Sequence, residues 1–362
     1  MTLKFTIKSA LLGALTGSFF LATAQQDPYY SHFKFNKQSY NAAAAGEKDD
    51  YYCVNGVAHH QWLNLNDQTK VRGTDFDPTN PGKPIEDVAP VTYAFNIGGQ
   101  VRWKEGRNSI GLGLSIFDDK IVFLKTTTVK FQVAYHIRIP SKDALLAVGP
   151  EIGMSQFGFV NPDFKSLDPG DAHIPVGAAA QSKLNIGFGT YYRQSRLGSS
   201  NFQDFYAGFS MTNLNRARYD LSVANQAGTS QLLGFQYARH LYAVTGLNWF
   251  VNPSITLEPA MLIKKNFGPE KSKPQIDLNA TALWNKTFRG GLGYRQWGTT
   301  DALTIMLGYV RNELQVGYSY DVTLSRLQQV SNNTHEIMVS YCFRPPTVKP
   351  PEKNYRRNTR WL

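Results

Sequence analysis

The side chains capable of chemistry are few and dispersed. His59 and His60 are adjacent in a stretch that alternates like a β-strand. Neighbouring strand residues point to opposite faces, so this pair cannot hold one metal ion together. His136, His173, His240 and His335 are scattered, and no serine lies in a nucleophile motif, so an acyl-transfer triad has no support. The runs GLGLSIF (111–117), GFGTYY (187–192) and GGLGYR (290–295) are rich in glycine but read as strand interiors with no helix following. A phosphate loop needs a helix N-terminus at that point; glycine within a strand serves bending or close packing. The two cysteines, Cys53 and Cys342, form no C-x-x-C motif and no Cys/His cluster. These residues predict neither an enzyme nor a cofactor or metal.

The elements that carry them are strands. In HEIMVSYCF (335–343), Ile337, Val339, Tyr341 and Phe343 share one face, and Glu336, Met338, Ser340 and Cys342 the other. About fourteen such segments of about ten residues, from 51–64 to 334–343, are long enough to cross a bilayer at barrel tilt. Connections on one side are short: 105–108, 139–143, 194–201, 251–253, 285–286 and 311–312. Those on the other are mostly longer: 65–88, 119–125, 155–182, 215–240, 266–274, 298–301 and 323–333. That asymmetry belongs to outer-membrane barrels, with short periplasmic turns and long extracellular loops.

Face assignments agree. Ile276, Leu278, Ala280, Ala282 and Trp284 oppose Gln275, Asp277, Asn279 and Thr281; Phe288, Leu292 and Tyr294 oppose Thr287, Arg289 and Arg295. Trp62, Trp103, Trp249, Phe250, Trp284, Trp297, Tyr309, Tyr341 and Phe343 lie near strand ends, where interfacial girdles form. A soluble sheet would turn the apolar face inward, and alternation alone does not separate the two cases. The expected fold is therefore an all-β transmembrane antiparallel barrel over 51–343, with an even strand number that leaves both ends in the periplasm.

The chain ends add to this. Lys4 and Lys8 precede an apolar run at 10–21 and an A-x-A site, Ala22-Thr23-Ala24, which together predict a signal peptide over 1–24 and export. The absence of a cysteine at the cleavage point argues against a lipoprotein. Residues 25–50 cluster Tyr29, Tyr30, Phe33, Phe35 and Tyr40, too aromatic for a free linker, and predict a periplasmic or lumen-packed segment. The tail at 344–362, with four prolines and six basic residues against one acid, predicts an extended periplasmic stretch. Its end, with Arg356, Arg357, Arg360, Trp361 and Leu362, suits docking to an acidic periplasmic partner as well as a plain spacer. A formal charge of +11 in an exported chain points to acidic lipid or protein surfaces rather than nucleic acid. In a closed barrel the first and last strands pair antiparallel. Cys53 then meets Cys342 near the periplasmic seam, as a disulfide across it or as two separate thiols.

The opening QQDPYYSHFKFN, the run IGLGLSIFDDKIVFLKTTTVKFQVAYHI (110–137), AAAQSKLNIGFGTYYR (178–193), FYAGFSMTNL (205–214), PQIDLNATALWNKTFRGGLGYR (274–295) and YSYDVTLSRL…THEIMVSYCF (318–343) resemble the PorP/SprF family of Bacteroidetes outer-membrane proteins. The resemblance covers the mature chain in order. It departs at 35–46, where FNKQSYNAAAAG lacks the prolines usual in the family. The resemblance implies a non-enzymatic component of type IX secretion in the outer membrane. It further implies as partners the periplasmic ring lipoproteins, or a secreted cargo such as a gliding adhesin. The competing expectation is a passive or hydrophobic-solute channel.

Overall fold

The computed structural model describes Asp27 and residues 29–63, 89–102, 108–121, 124–159, 175–197, 201–225, 230–268, 273–296, 301–325, 328 and 332–345. The signal-peptide reading at 1–24 and the docking residues Arg356, Arg357, Arg360, Trp361 and Leu362 lie outside these, as do Trp103, Trp297 and His173.

Seventeen strands are present among the described residues: β1 (Tyr52–His60), β2 (Val91–Arg102), β3 (Ser109–Ile121), β4 (Leu124–Ile139), β5 (Ala144–Phe159), β6 (Pro175–Val176), β7 (Ala179–Leu197), β8 (Phe202–Thr212), β9 (Arg218–Asn225), β10 (Ser230–Gln236), β11 (Arg239–Asn252), β12 (Ile255–Phe267), β13 (Gln275–Trp284), β14 (Phe288–Gln296), β15 (Ala302–Arg311), β16 (Leu314–Thr323) and β17 (Thr334–Phe343). Fourteen of them, all but β6, β9 and β10, close an antiparallel barrel, and β17 returns to pair with β1. Each of the fourteen segments expected from alternation is a barrel strand.

The faces settle what alternation left open. Ile337, Val339, Tyr341 and Phe343 point outward and are exposed, whereas Glu336, Met338, Ser340 and Cys342 are buried inside. Asp277, Thr281 and Arg295 are buried inside, while Leu278, Leu292 and Tyr294 are exposed outside. Apolar outside and polar inside is the reverse of a soluble sheet and suits a lipid solvent. At the short-turn end, outward rings touch from strand to strand: Phe202 and Trp249 at 5.9 Å, Trp284 and Phe288 at 6.2 Å, Phe288 and Tyr309 at 5.7 Å. They form the periplasmic girdle.

Three of the expected loops are corrected. The stretch 119–125 is mostly strand, because β3 runs to Ile121 and β4 starts at Leu124. The stretches 155–182 and 215–240 hold the upper ends of β5 and β7 and a separate three-stranded sheet in the order β10–β9–β6. β5 and β7 have 16 and 19 residues, well beyond the roughly 9–11 needed to span a bilayer. They therefore project from the extracellular side. Their inner face offers Phe157 and Phe159, and the small sheet buries Tyr219, Leu221 and Val223 against them. The Phe157 ring lies 4.9 Å from Phe235 and 5.4 Å from Tyr219, edge-on to both. Full burial of one such side chain contributes roughly 1.5–3 kcal/mol, which is why this sheet is ordered although it lies outside the barrel wall.

At the closing seam, Cys53 is in register with Cys342 and Tyr52 with Phe343. The two cysteines are bonded, with Cα atoms 4.1 Å apart, and their bridge faces the lumen at its periplasmic end.

Candidate functional site

The lumen is filled by the chain's own N-terminal segment. Asp27 sits at the outer ends of β8 and β11, where Thr212 donates to its carboxylate at 2.8 Å and Asn213 at 3.0 Å. From there the chain descends inside the barrel through three short 3-10 turns, Phe33–Phe35, Lys37–Ser39 and Ala42–Ala44. It reaches the periplasmic mouth at residues 47–50 and turns into β1. The last turn is capped by the Asn41 side chain, which accepts from Ala43 N at 3.0 Å. Four consecutive alanines, Ala42 to Ala45, have no bulk to hold the backbone away from the wall, and all are buried.

The closest approach falls between glycines. Gly46 adopts a φ of +66°, and a Cβ there would lie 2.4 Å from Gly99 O. A Cβ on Gly111 would lie 2.0 Å from Ala45 O. Glycine on both sides lets the two backbones touch. Gly111→Val is therefore expected to push the segment off the wall and cost about 1–3 kcal/mol by overpacking. Thermal melting followed by circular dichroism checks this, and an unchanged midpoint counts against it.

Polar wall residues grip the segment along its length. Glu336, whose side chain is 0% exposed, accepts from Ser31 N at 2.8 Å and His32 N at 2.7 Å. It also accepts from the Nδ1–H groups of His32 and His59, each at 2.8 Å. Arg295 donates to Asp277 at 2.5 Å, to Asp321 at 2.7 Å and to Ser31 Oγ at 3.1 Å. Lys34 and Arg289 share Glu258, at 2.5 and 2.8 Å. Gln38 donates to Ile97 O at 3.1 Å and to the Gln132 side chain at 3.2 Å. Arg138 pairs with Asp49 and Lys37 with Glu47, closing the lower end.

The charges on the segment feel this environment. The Lys34 ammonium reaches the Glu258 carboxylate at 2.5 Å and the Thr281 hydroxyl at 3.1 Å. The Asp27 carboxylate accepts from the Tyr242 hydroxyl at 3.0 Å and lies 3.5 Å from His240, and Lys264 donates to the Asp27 backbone carbonyl.

The residues singled out in the sequence fall in three places. Tyr30, Phe33 and Tyr40 are buried in the lumen, and Phe35 is half-buried there. Tyr40 stacks on Tyr242 at 5.4 Å, and Tyr29 lies under the Arg295 guanidinium at 4.0 Å. Of the two options for the segment, the lumen is where it packs. Cys53 and Cys342 sit together at the seam. His59 faces the lumen on Glu336, and His60 faces out toward Tyr93, so the two do not meet a common ligand. No group of three His, Cys, Asp or Glu able to hold a metal occurs among the described residues.

Sequence reasoning missed the ligands of the segment: Glu336, Arg295, Asp321, Glu258 and Lys264. The signal was present, since every one falls on the inward face of an alternating strand, but the partner of each is set by three-dimensional closure.

A comparison with curated proteins finds no match. Among solved structures, a FadL homologue from Pseudomonas aeruginosa is 12% identical with a TM-score of 0.49, covering 89% of this chain and 96% of its own. The toluene transporter TbuX of Ralstonia pickettii is 12% identical with a TM-score of 0.46, covering 84% and 92%. The translocator domain of the autotransporter NalP from Neisseria meningitidis is 8% identical with a TM-score of 0.43, covering 94% and 98%. The profile of the type IX secretion system membrane proteins PorP/SprF matches residues 22–341. Nearly the whole described barrel and its lumenal segment fall within that match, and the chain belongs to the PorP/SprF family of outer-membrane proteins of type IX secretion.

Proposed function

We propose that this protein is a non-enzymatic anchor of the type IX machinery, holding periplasmic ring components to the outer membrane or a secreted cargo at the surface. The observation that carries the reading is the occupied lumen. A conduit needs a continuous water path, and here the N-terminal segment is bound to the wall by hydrogen bonds and ion pairs from Asp27 to Asp49, with those at His32 and Lys34 buried. What remains available to partners is the two ends. One is the extracellular cap built from β6, β9 and β10 on the projecting strands. The other is the periplasmic mouth with its basic tail. The competing channel reading would require the segment to leave the lumen.

The test is deletion of the gene, followed by quantitative analysis of secreted and surface proteins, with restoration by the full chain and by a chain lacking residues 356–362. Loss of one or more cargoes from the surface is expected, with the shortened chain restoring export poorly if the tail docks a ring component. Normal export of every cargo in the deletion strain would sink the reading.

A further inference from the structure

The periplasmic mouth contains a cavity of about 320 Å³, bounded by the lower end of the lumenal segment, the seam disulfide and the feet of β7, β12 and β14. Most of the charges around it are matched. Lys37 pairs with Glu47 at 2.7 Å, Arg193 with Asp204 at 3.1 Å, and Lys34 and Arg289 with Glu258. Lys48 is different. It is half-buried, lines the cavity, and forms no ion pair among the described residues. Its ammonium lies 4.3 Å from the centre of the Tyr51 ring.

The same ring carries a second cation, because the Arg344 guanidinium sits 4.6 Å from its centre, likewise without an ion pair among the described residues. Two cations against one aromatic ring gain from its quadrupole but repel each other, and an anion at this point removes the repulsion. Burial and the positive Arg193 hold the Lys48 ammonium below its ordinary value, with Arg344 adding to the effect and Glu313 and Glu47 opposing it. Neither cation on the Tyr51 ring has a carboxylate within ion-pair distance among the described residues, although Glu47 and Glu313 act on Lys48 from farther off.

We propose that Lys48, Tyr51 and Arg344 form a carboxylate-binding site at the periplasmic mouth, and that its occupant is an acidic segment of a protein partner. The inference rests on the anchoring role for the kind of partner it names. Charge selects the occupant. The basic sequence that follows, with Lys349, Lys353, Arg356, Arg357 and Arg360 against Glu352, has the wrong charge to be the occupant. The cavity admits a short run of side chains but no folded domain. The partner therefore presents an extended acidic stretch or a chain-terminal carboxylate. The ammonium and the guanidinium supply charge-assisted donors beside the Tyr51 ring.

The experiment measures fluorescence anisotropy of a labelled octaglutamate peptide titrated with the full chain in nanodiscs of neutral lipid, with inorganic phosphate as competitor. Binding that weakens with salt is expected, as is a loss of about tenfold in Lys48→Glu and in Arg344→Glu. Lys142→Glu, on an exposed periplasmic turn, is expected to change little. Both target residues lie outside the strands, and heat-modifiable gel mobility verifies that each variant barrel has folded. Equal binding by the Lys48→Glu/Arg344→Glu double variant overturns the proposal. So does displacement of the peptide by phosphate at equivalent charge concentration, which would make this a general anion or lipid-headgroup site. The measurement involves no secretion, so a strain that exports normally would remove the anchoring role without altering this result.

Discussion

Glu336→Leu is expected to lower stability by about 3–5 kcal/mol, because it strands buried donors that were paired with one carboxylate. Glu336 takes up four donors, two backbone N–H groups and two imidazoles, in a site with no water-exposed surface. Leucine matches the volume but accepts nothing, and each abandoned buried donor costs about 1–3 kcal/mol. Glu336→Gln is expected to fall between the two, since an amide oxygen still accepts but its NH2 group opposes one pair of donors. Two readouts distinguish a loosened segment from a weakened wall. Thermal melting reports the barrel, and limited proteolysis between Asp27 and Gly46 reports the segment. A leucine variant that melts with the wild type and resists protease equally would show that Glu336 does not hold the segment.

Removing residues 27–46 is expected to convert a non-conducting barrel into an open pore. In the intact chain, Tyr30, Phe33, Tyr40 and the alanines 42–45 are buried in the lumen. Without them, Glu258, Asp277, Asp321, Lys264 and Arg295 line a water-filled channel, and charged lumen residues of both signs are well solvated there. Planar bilayers should show discrete current steps for the shortened chain and none for the full one. Steps of equal size in the full chain would revive the channel reading. Silence in both would locate the block in the extracellular sheet.

Much of the barrel was legible because lipid imposes one rule on every strand. Once the solvent is lipid, alternation in HEIMVSYCF places Glu336 and Cys342 inside and Tyr341 outside, with no knowledge of neighbours. The Cys53–Cys342 contact was legible for a related reason: closure dictates that the first and last strands pair, so two residues 289 positions apart become neighbours. The extracellular sheet was not. Tyr219, Leu221 and Val223 alternate as well as any barrel strand. Their burial depends on how far β5 and β7 project, which no local pattern encodes.

The lumenal segment was half legible. Its aromatics announced that it packs, but 3-10 turns leave no periodicity to read. Ser31 meets Glu336 across a separation of 305 residues. The polar character of the lumen was visible; which wall carboxylate takes which N–H was not.

The segment also changes the parity of the fold. An even number of strands returns a chain to the side on which it began, and both ends were expected in the periplasm for that reason. Passage through the lumen acts as a fifteenth crossing. Asp27 consequently lies at the outer mouth while Arg344 lies at the periplasmic face. The barrel is therefore sided along a single covalent path. Residues 27–50 connect the two faces of the membrane through the lumen, and a label at Asp27 reports on a different face from one at Arg344.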